Sequence, residues 1–185
     1  MGMPHAAERW TAERVRALPE DGRRYELIDG ELVVTPSPRG VHQVAVSMLE
    51  DILSRALAGT VHHVLHSPAD IALGEDEILQ PDLFVYRTAS GRHLLDWNDI
   101  TALELVTEVL SPSTARHDRV LKRRRYQRAG VPEYWIVDLD GRVIERWRPG
   151  IDRPEVMAER LQWDPAEGAS LDIDVERFFS QLWGE

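Results

Sequence analysis

Three well-separated side chains, Asp82, Glu108 and Lys122, have the types and surroundings to hold a hard cation beside a fixed positive charge. Glu108 stands in the run Leu103 to Leu110, where alternation puts Val106, Glu108 and Leu110 on one face and Leu105, Thr107 and Val109 on the other. Both faces are largely apolar, so the run reads as a central strand covered on both sides. An unpaired carboxylate withdrawn from water there costs several kcal/mol or takes up a proton, so something must compensate it. Asp82 poses the same problem, since it follows Pro81 and opens the apolar run Leu83 to Tyr86. Two carboxylates at the ends of neighbouring strands would line an oxygen site for a hard cation, Mg²⁺ or Mn²⁺. A structural ion pair from each acid to an arginine or lysine explains the burial equally well at this point.

The cation of the trio comes from the segment Asp118 to Ala129, which has no Gly or Pro and stops at Gly130-Val131-Pro132 as a helix does. At about 100° per residue, Asp118, Leu121, Lys122, Arg125, Tyr126 and Ala129 share one face, and Leu121, Tyr126 and Ala129 mark it as the inward one. Lys122 on that face either points at the carboxylates or a phosphate, or snorkels past the core to water. Arg119, Arg123, Arg124 and Arg128 lie elsewhere on the helix and form either a basic rim for a nucleic-acid backbone or an ordinary solvated face.

The elements that must position these residues follow from turn and periodicity signals. Thr11 to Leu18 reads as a short helix with Thr11 as N-cap, inside an N-terminal extension covering residues 1–17. Tyr25 to Ile28 and Glu31 to Val34 flank Asp29-Gly30, a strong hairpin signal. Val41 to Leu57 has the apolar spacing of a long helix; Val61 to Leu65, Ala69 to Leu73, Leu83 to Tyr86 and Leu103 to Leu110 read as strands of one central sheet. Tyr134 to Val137 and Val143 to Trp147 form a second hairpin, and Val175 to Trp183 a final amphipathic helix. The order predicts an α/β sandwich around one mixed sheet flanked by helices, with 1–185 as a single domain.

Composition narrows the chemistry. With no cysteine in 185 residues, disulfides, thiolate zinc sites and cysteine nucleophiles are excluded, and a reducing cytoplasm fits. The first residues lack the apolar core of a signal peptide, Ala6 breaks the myristoylation pattern, and no run of about 18 apolar residues predicts a membrane span. A formal net charge of −10 argues against a general DNA-coating protein, though not against an enzyme that engages phosphates at one basic patch. His62, His63 and His66 invite a zinc reading, but strand alternation turns His63 away from the other two. Tyr126, Tyr134 and Trp135 read as core, and Trp163, Phe178, Phe179 and Trp183 as packing or a subunit contact. No phosphate-cradling Gly-rich loop, dinucleotide fingerprint or serine-nucleophile elbow is present.

Several motifs occur together and in order: Tyr25-Glu26-Leu27-Ile28-Asp29-Gly30-Glu31-Leu32, Pro81-Asp82, Glu108-Val109-Leu110-Ser111-Pro112-Ser113, Asp118 with Lys122 and Tyr126, and Gly130-Val131-Pro132-Glu133-Tyr134-Trp135-Ile136-Val137-Asp138. On these residues the chain, from about Leu18 to its end, resembles the Uma family of bacterial restriction-endonuclease-like proteins, within the PD-(D/E)XK nucleases. The resemblance implies a restriction-endonuclease-like fold in which Asp82 and Glu108, with the Val109 carbonyl, hold Mg²⁺, and in which a lysine activates water or steadies the phosphate. Leu110 stands where the lysine two places after the acid belongs, so that role would pass to Lys122. The resemblance also favours Glu26 as a further acid and sets His42 beside the site, although His42 in its own context could simply cap or pack; Asp118 and Tyr126 come with the same motifs. It implies a Mg²⁺-dependent endodeoxyribonuclease, with a nuclease-fold protein that binds without cleaving as the alternative. A homodimer is expected, because duplex cleavage needs two centres and the C-terminal aromatics offer an interface.

Overall fold

The turn at Asp29-Gly30 sets the first pairing. In the computed structural model, which describes residues 9–19, 21–74, 77–89, 94–112, 114–166 and 170–185, Asp29 (φ 57°) and Gly30 (φ 77°) are both left-handed. That is the backbone a two-residue hairpin needs if its turn is to match the twist of its strands. Around it β1 (Arg24–Ile28) and β2 (Glu31–Thr35) pair antiparallel, with Glu26 opposite Val33. Upstream, α1 (Ala12–Arg16) is capped as expected, the Thr11 side chain accepting from the Arg14 amide. Of the N-terminal residues singled out above, Met1 to His5 and Ala6 lie outside the described ones, as does Ser113.

After the proline loop, α2 (Gly40–Ala56) buries Ala45, Val46, Leu49 and Leu53, the stripe its spacing predicts. The chain then lays down β3 (His63–His66), β4 (Ile71–Gly74), β5 (Glu77–Leu79), β6 (Leu83–Thr88) and β7 (Ile100–Val109). A helical crossover leads to β8 (Glu133–Asp138), which hairpins into β9 (Val143–Trp147). Then come β10 (Glu155–Met157), β11 (Arg160–Trp163) and β12 (Leu171–Asp174), none anticipated from sequence, and α4 (Val175–Trp183), which was.

The central sheet has six strands in the order β10-β9-β8-β7-β6-β3 and is mixed, because β7 and β8 run parallel while the other neighbours are antiparallel. A parallel pair needs a crossover connection, which the helical segment before β8 supplies. One expectation is corrected here: the strands do not share one sheet. The hairpin joins β5 and β4 in a separate four-stranded sheet, β2-β1-β5-β4, and β11 pairs with β12. The segment Ala69 to Leu73, assigned above to the central sheet, supplies β4 of the smaller one. The Val61 to Leu65 strand also begins two residues later, at His63.

The central sheet separates two cores. On one face Leu105 and Val109 of β7 meet Leu49 and Leu53 of α2 and Phe178 and Phe179 of α4. On the other, Val106 and Leu110 meet Tyr126, Tyr134 and Ile136, with Ile28 and Leu79 of the smaller sheet closing over them. Alternation along β7 is therefore as read, and β7 is covered on both sides. Among the described residues, no helix is long and apolar enough to cross a membrane.

The crossover helix departs from its periodicity. Its first part, His117–Lys122, is π-helical, with the Arg123 amide bonded to the Asp118 carbonyl, and only Arg123–Arg128 (α3) is α-helical. The buried Tyr134 hydroxyl donates to that same Asp118 carbonyl at 3.0 Å. A π turn inserts an extra residue into the helical ladder, a local device common at functional sites that a fixed 100° wheel cannot register.

Candidate active site

Two strand ends deliver the first two acids. β6 pairs antiparallel with β7, Leu83 opposite Thr107, so the start of β6 and the end of β7 lie at the same end of these two interior strands. Asp82 precedes β6 and Glu108 nearly ends β7, and both are buried. β1 brings Glu26 over them from the hairpin, and the π turn brings Asp118 and Lys122, all buried as well. Together these side chains line a cavity of about 250 Å³, with Arg24, His42 and the proline loop forming further walls.

Lys122 is the hub. Its Nζ lies 2.9 Å from Glu26 Oε1, 3.0 Å from Glu108 Oε1 and 3.4 Å from Asp118 Oδ1. Tyr126 adds a hydroxyl that donates to Glu108 Oε1 at 3.4 Å, while Glu26 Oε1 also accepts the Gln80 amide at 2.8 Å. The structure thus brings Glu26, Glu108, Asp118, Lys122 and Tyr126 into contact, and Lys122 points into the acids rather than out to water.

Asp82 is held by a different set. Its Oδ1 accepts from Arg24 Nη1 at 2.6 Å, and its Oδ2 faces His42 Nε2 at 3.0 Å and accepts the Val109 amide at 2.9 Å. His42 therefore borders the site, and Val109 meets Asp82 through its N–H. Arg24 went unnoticed in the sequence, although a signal was there: it stands two residues before Glu26 on the same strand and so shares its face. Its Nη2 also donates to Ser67 Oγ at 3.0 Å and to the Gln80 carbonyl.

These surroundings drive the acids apart. Burial pushes Asp82 upward, but the His42 hydrogen bond and the Arg24 and Lys122 charges outweigh it and hold the carboxyl below its ordinary range. At Glu108 burial wins over Lys122, and repulsion from Asp82, Asp118 and Glu26 adds to it, so this carboxyl lies well above the usual value. Asp118 is raised too, chiefly by burial. Burial disfavours the Lys122 ammonium, yet Glu108, Glu26 and Asp118 more than compensate and keep it charged. Carboxylates with oppositely displaced proton affinities are the pattern of a site that does acid and base work.

Four buried carboxylates, Glu26, Asp82, Glu108 and Asp118, face two permanent cations, Lys122 and Arg24, and the raised proton affinities of Glu108 and Asp118 mark acids that the two cations do not fully balance. That imbalance and the all-oxygen donor set fit a hard divalent cation. Asp118 Oδ1 fits as well, being buried with an ion pair but no hydrogen bond among the described residues. No group of three or more His, Asp or Glu side chains among those residues already converges as a ligand cage. The protein would therefore offer one or two carboxylates, which is how Mg²⁺ is commonly held, with water and phosphate completing its shell.

The remaining sequence candidates divide. Arg119 is turned inward onto the protein's own acids, meeting Glu145 Oε1 at 2.6 Å and Asp138 Oδ2 at 2.6 Å, and Arg123 stacks on the Trp147 ring. Only Arg124 and Arg128 of the expected rim are exposed. The histidine zinc reading gains no support: His63 tilts against Tyr86, and His66 lies 3.6 Å from Glu50. Trp163, Phe178 and Phe179 are buried in the chain's own core, which removes them from the dimer interface suggested above; Trp183 stays 39% exposed.

A family model described as "Putative restriction endonuclease", Uma2, matches residues 12–176. The chain belongs to the Uma2 family. Its fold is that of a solved structure from Anabaena variabilis, described as a putative nuclease belonging to DUF820: TM-score 0.77, 22% identity, covering 93% of this chain and 98% of that one. At that identity the likeness carries the fold alone. No curated protein matches the chain. Uma2 membership agrees with the motif resemblance and with the α/β architecture, and its span includes every residue of the cavity cluster.

Proposed function

We propose that this Uma2 protein is a metal-dependent nuclease that hydrolyses phosphodiester bonds in DNA at the cavity formed by Asp82, Glu108 and Lys122. The observation that carries the reading is the gathering of four buried carboxylates around two cations in one cavity, an excess of acid that a divalent cation would offset. Asp82, kept ionised and fixed at both oxygens by Arg24, His42 and the Val109 amide, would be the first ligand. Glu108 would be the second, with the Val109 carbonyl as a further candidate. Bound there, Mg²⁺ or Mn²⁺ would neutralise charge on the phosphate and lower the pKa of water. Lys122 holds Glu26, Glu108 and Asp118 together against their mutual repulsion and so positions the centre, and Tyr126 steadies Glu108. Arg124 and Arg128 remain candidates for backbone contacts. The active species would be a cytoplasmic homodimer, since one centre per chain cuts one strand of a duplex.

The Arg24 ion pair on Asp82 favours a second reading, a nuclease-fold protein whose acids are satisfied internally and which binds nucleic acid without cleaving it. Nicking and cleavage of plasmid DNA in Mg²⁺, Mn²⁺ and EDTA, alongside Asp82→Ala and Lys122→Ala, separates the two. Cleavage that needs the cation and drops at least 100-fold in both variants is expected; DNA affinity without turnover in any metal establishes the silent reading instead.

A further inference from the structure

The sequence gives Lys122 the task of meeting the phosphate, yet its surroundings leave it little to offer. An ammonium has three donor hydrogens. Two carboxylates lie within 3.0 Å of Lys122 Nζ and a third, Asp118, stands at 3.4 Å as an ion pair without a hydrogen bond, and the lysine side chain is only 4% exposed. Arg24 lines the same cavity and is 18% exposed. Of the five donor hydrogens of a guanidinium, Nη1 gives one to Asp82 Oδ1, and Nη2 directs its two at Ser67 Oγ and the Gln80 carbonyl. One Nη1 hydrogen is left over, together with the Nε hydrogen, and Nε is buried without a hydrogen-bond partner among the described residues. Burial alone would weaken the Arg24 charge, but Asp82, Glu108 and Glu26 more than restore it, so the cation is permanent. A planar fork pinned on one side by Ser67 and Gln80 and on the other by Asp82 presents its remaining donor in a fixed direction, which suits a phosphate oxygen.

We propose that Arg24 is the phosphate-binding residue of this site, donating its remaining Nη1 hydrogen to a non-bridging oxygen of the nucleic-acid phosphate that enters the cavity. The inference rests on the nuclease reading and adds which of the cavity's two cations touches the substrate. Lys122 then balances the acids, and Arg24 grips the strand.

The test is equilibrium binding of a fluorescently labelled DNA duplex by anisotropy, with Ca²⁺ replacing Mg²⁺, across a series of KCl concentrations. Each phosphate contact contributes about 0.9 to the slope of log K against log salt. Arg24→Gln is expected to weaken binding about tenfold and to make the slope shallower by about 0.9. Arg24→Lys keeps a point charge and should keep the slope, and Arg55→Gln, which removes an exposed charge paired with Asp51 on the surface of α2, should alter neither. A residue that merely orients Asp82 would change affinity without changing the slope, so an unchanged slope in Arg24→Gln overturns the assignment. Should that variant not fold, wild-type protein carrying ¹⁵N-arginine gives the same answer. The Arg24 Nε–H resonance, identified by its loss in Arg24→Lys, must move as duplex is added, and a stationary resonance during saturable binding overturns the proposal. Wild-type protein with no affinity for DNA at any salt overturns the nuclease reading and this inference with it, whereas binding with an unaltered slope overturns this inference alone.

Discussion

Glu108 and Asp82 sit at the same end of two neighbouring interior strands, yet their environments push them in opposite directions, and a stability measurement can read that difference. The unfolded chain gives Glu108 a pKa of about 4.3; in the fold, burial and three neighbouring acids raise it. A group raised in the folded state contributes its full stability below the unfolded value and loses it as pH climbs through the folded one. Asp82 has the opposite sign: its contribution is present above the unfolded carboxylate value and fades as pH falls through the depressed folded one. In metal-free protein Glu108→Gln should therefore raise the melting temperature at pH 8 by roughly 2–8 °C, about 1–2 kcal/mol, and the gain should vanish near pH 4. Adding Mg²⁺ should reverse the ranking, since a cation at 100 times its Kd stabilises wild type by about 2.7 kcal/mol and the variant lacks the ligand. A destabilised variant at every pH would make Glu108 a structural ion-pair partner of Lys122. Asp82, Glu108 and Lys122 were legible because each is a charged residue in an apolar context, which demands an explanation. Arg24 was fainter, because only its place two residues before Glu26 on one strand marked it, and its partners Asp82, Ser67 and Gln80 are distant in sequence.

At the scale of elements, the hairpin carries both Glu26 and Arg24, so its turn fixes their reach. Arg125 of α3 ties the turn in place through Asp29 and through Glu77 Oε1 at 2.8 Å. Gly30 at φ 77° occupies left-handed backbone, and a Cβ there would stand 2.6 Å from Arg9 Nε, a flexible side-chain end. Backbone strain then dominates, and Gly30→Ala should cost about 1–2 kcal/mol, read as a lower urea midpoint at unchanged m-value. An unshifted midpoint would show that the turn relaxes into another type. The hairpin was legible from two residues for this very reason: Asp-Gly has one favoured conformation between strands. The long helices α2 and α4 were legible from their stripes. By contrast β5, β10, β11 and β12 are only three or four residues long, too short for alternation to stand out, and β5 takes as one partner the sequence-distant β1. The π turn escaped because it is stabilised from outside the helix, by the Tyr134 hydroxyl on the Asp118 carbonyl.

Across the whole molecule, the central sheet divides labour between its faces. One face packs α2 and α4 in a largely apolar core, while the other carries the tyrosines and the smaller sheet that close over the charged cavity. Paired substitutions test whether that division is also energetic. Phe178, buried beside Phe179 with ring centroids 5.1 Å apart, belongs wholly to the first face; Phe178→Ala should cost about 3–5 kcal/mol and leave Mn²⁺ affinity unchanged at temperatures where the protein stays folded. Tyr126, on the second face, gives its hydroxyl to Glu108 and packs its ring on Tyr134 with centroids 5.1 Å apart. Tyr126→Phe keeps the ring and removes the hydrogen bond, so unfolding free energy should shift by only about 1 kcal/mol. Mn²⁺ affinity should fall about tenfold, the range seen when a ligand loses a supporting contact. Urea unfolding and Mn²⁺ titration followed by electron paramagnetic resonance read both quantities on the same samples. A loss of Mn²⁺ affinity in Phe178→Ala would mean that the sheet transmits packing strain from α4 to the cavity. The fold would then be one mechanical unit rather than a rigid partition with a scaffold on one side and a reaction centre on the other.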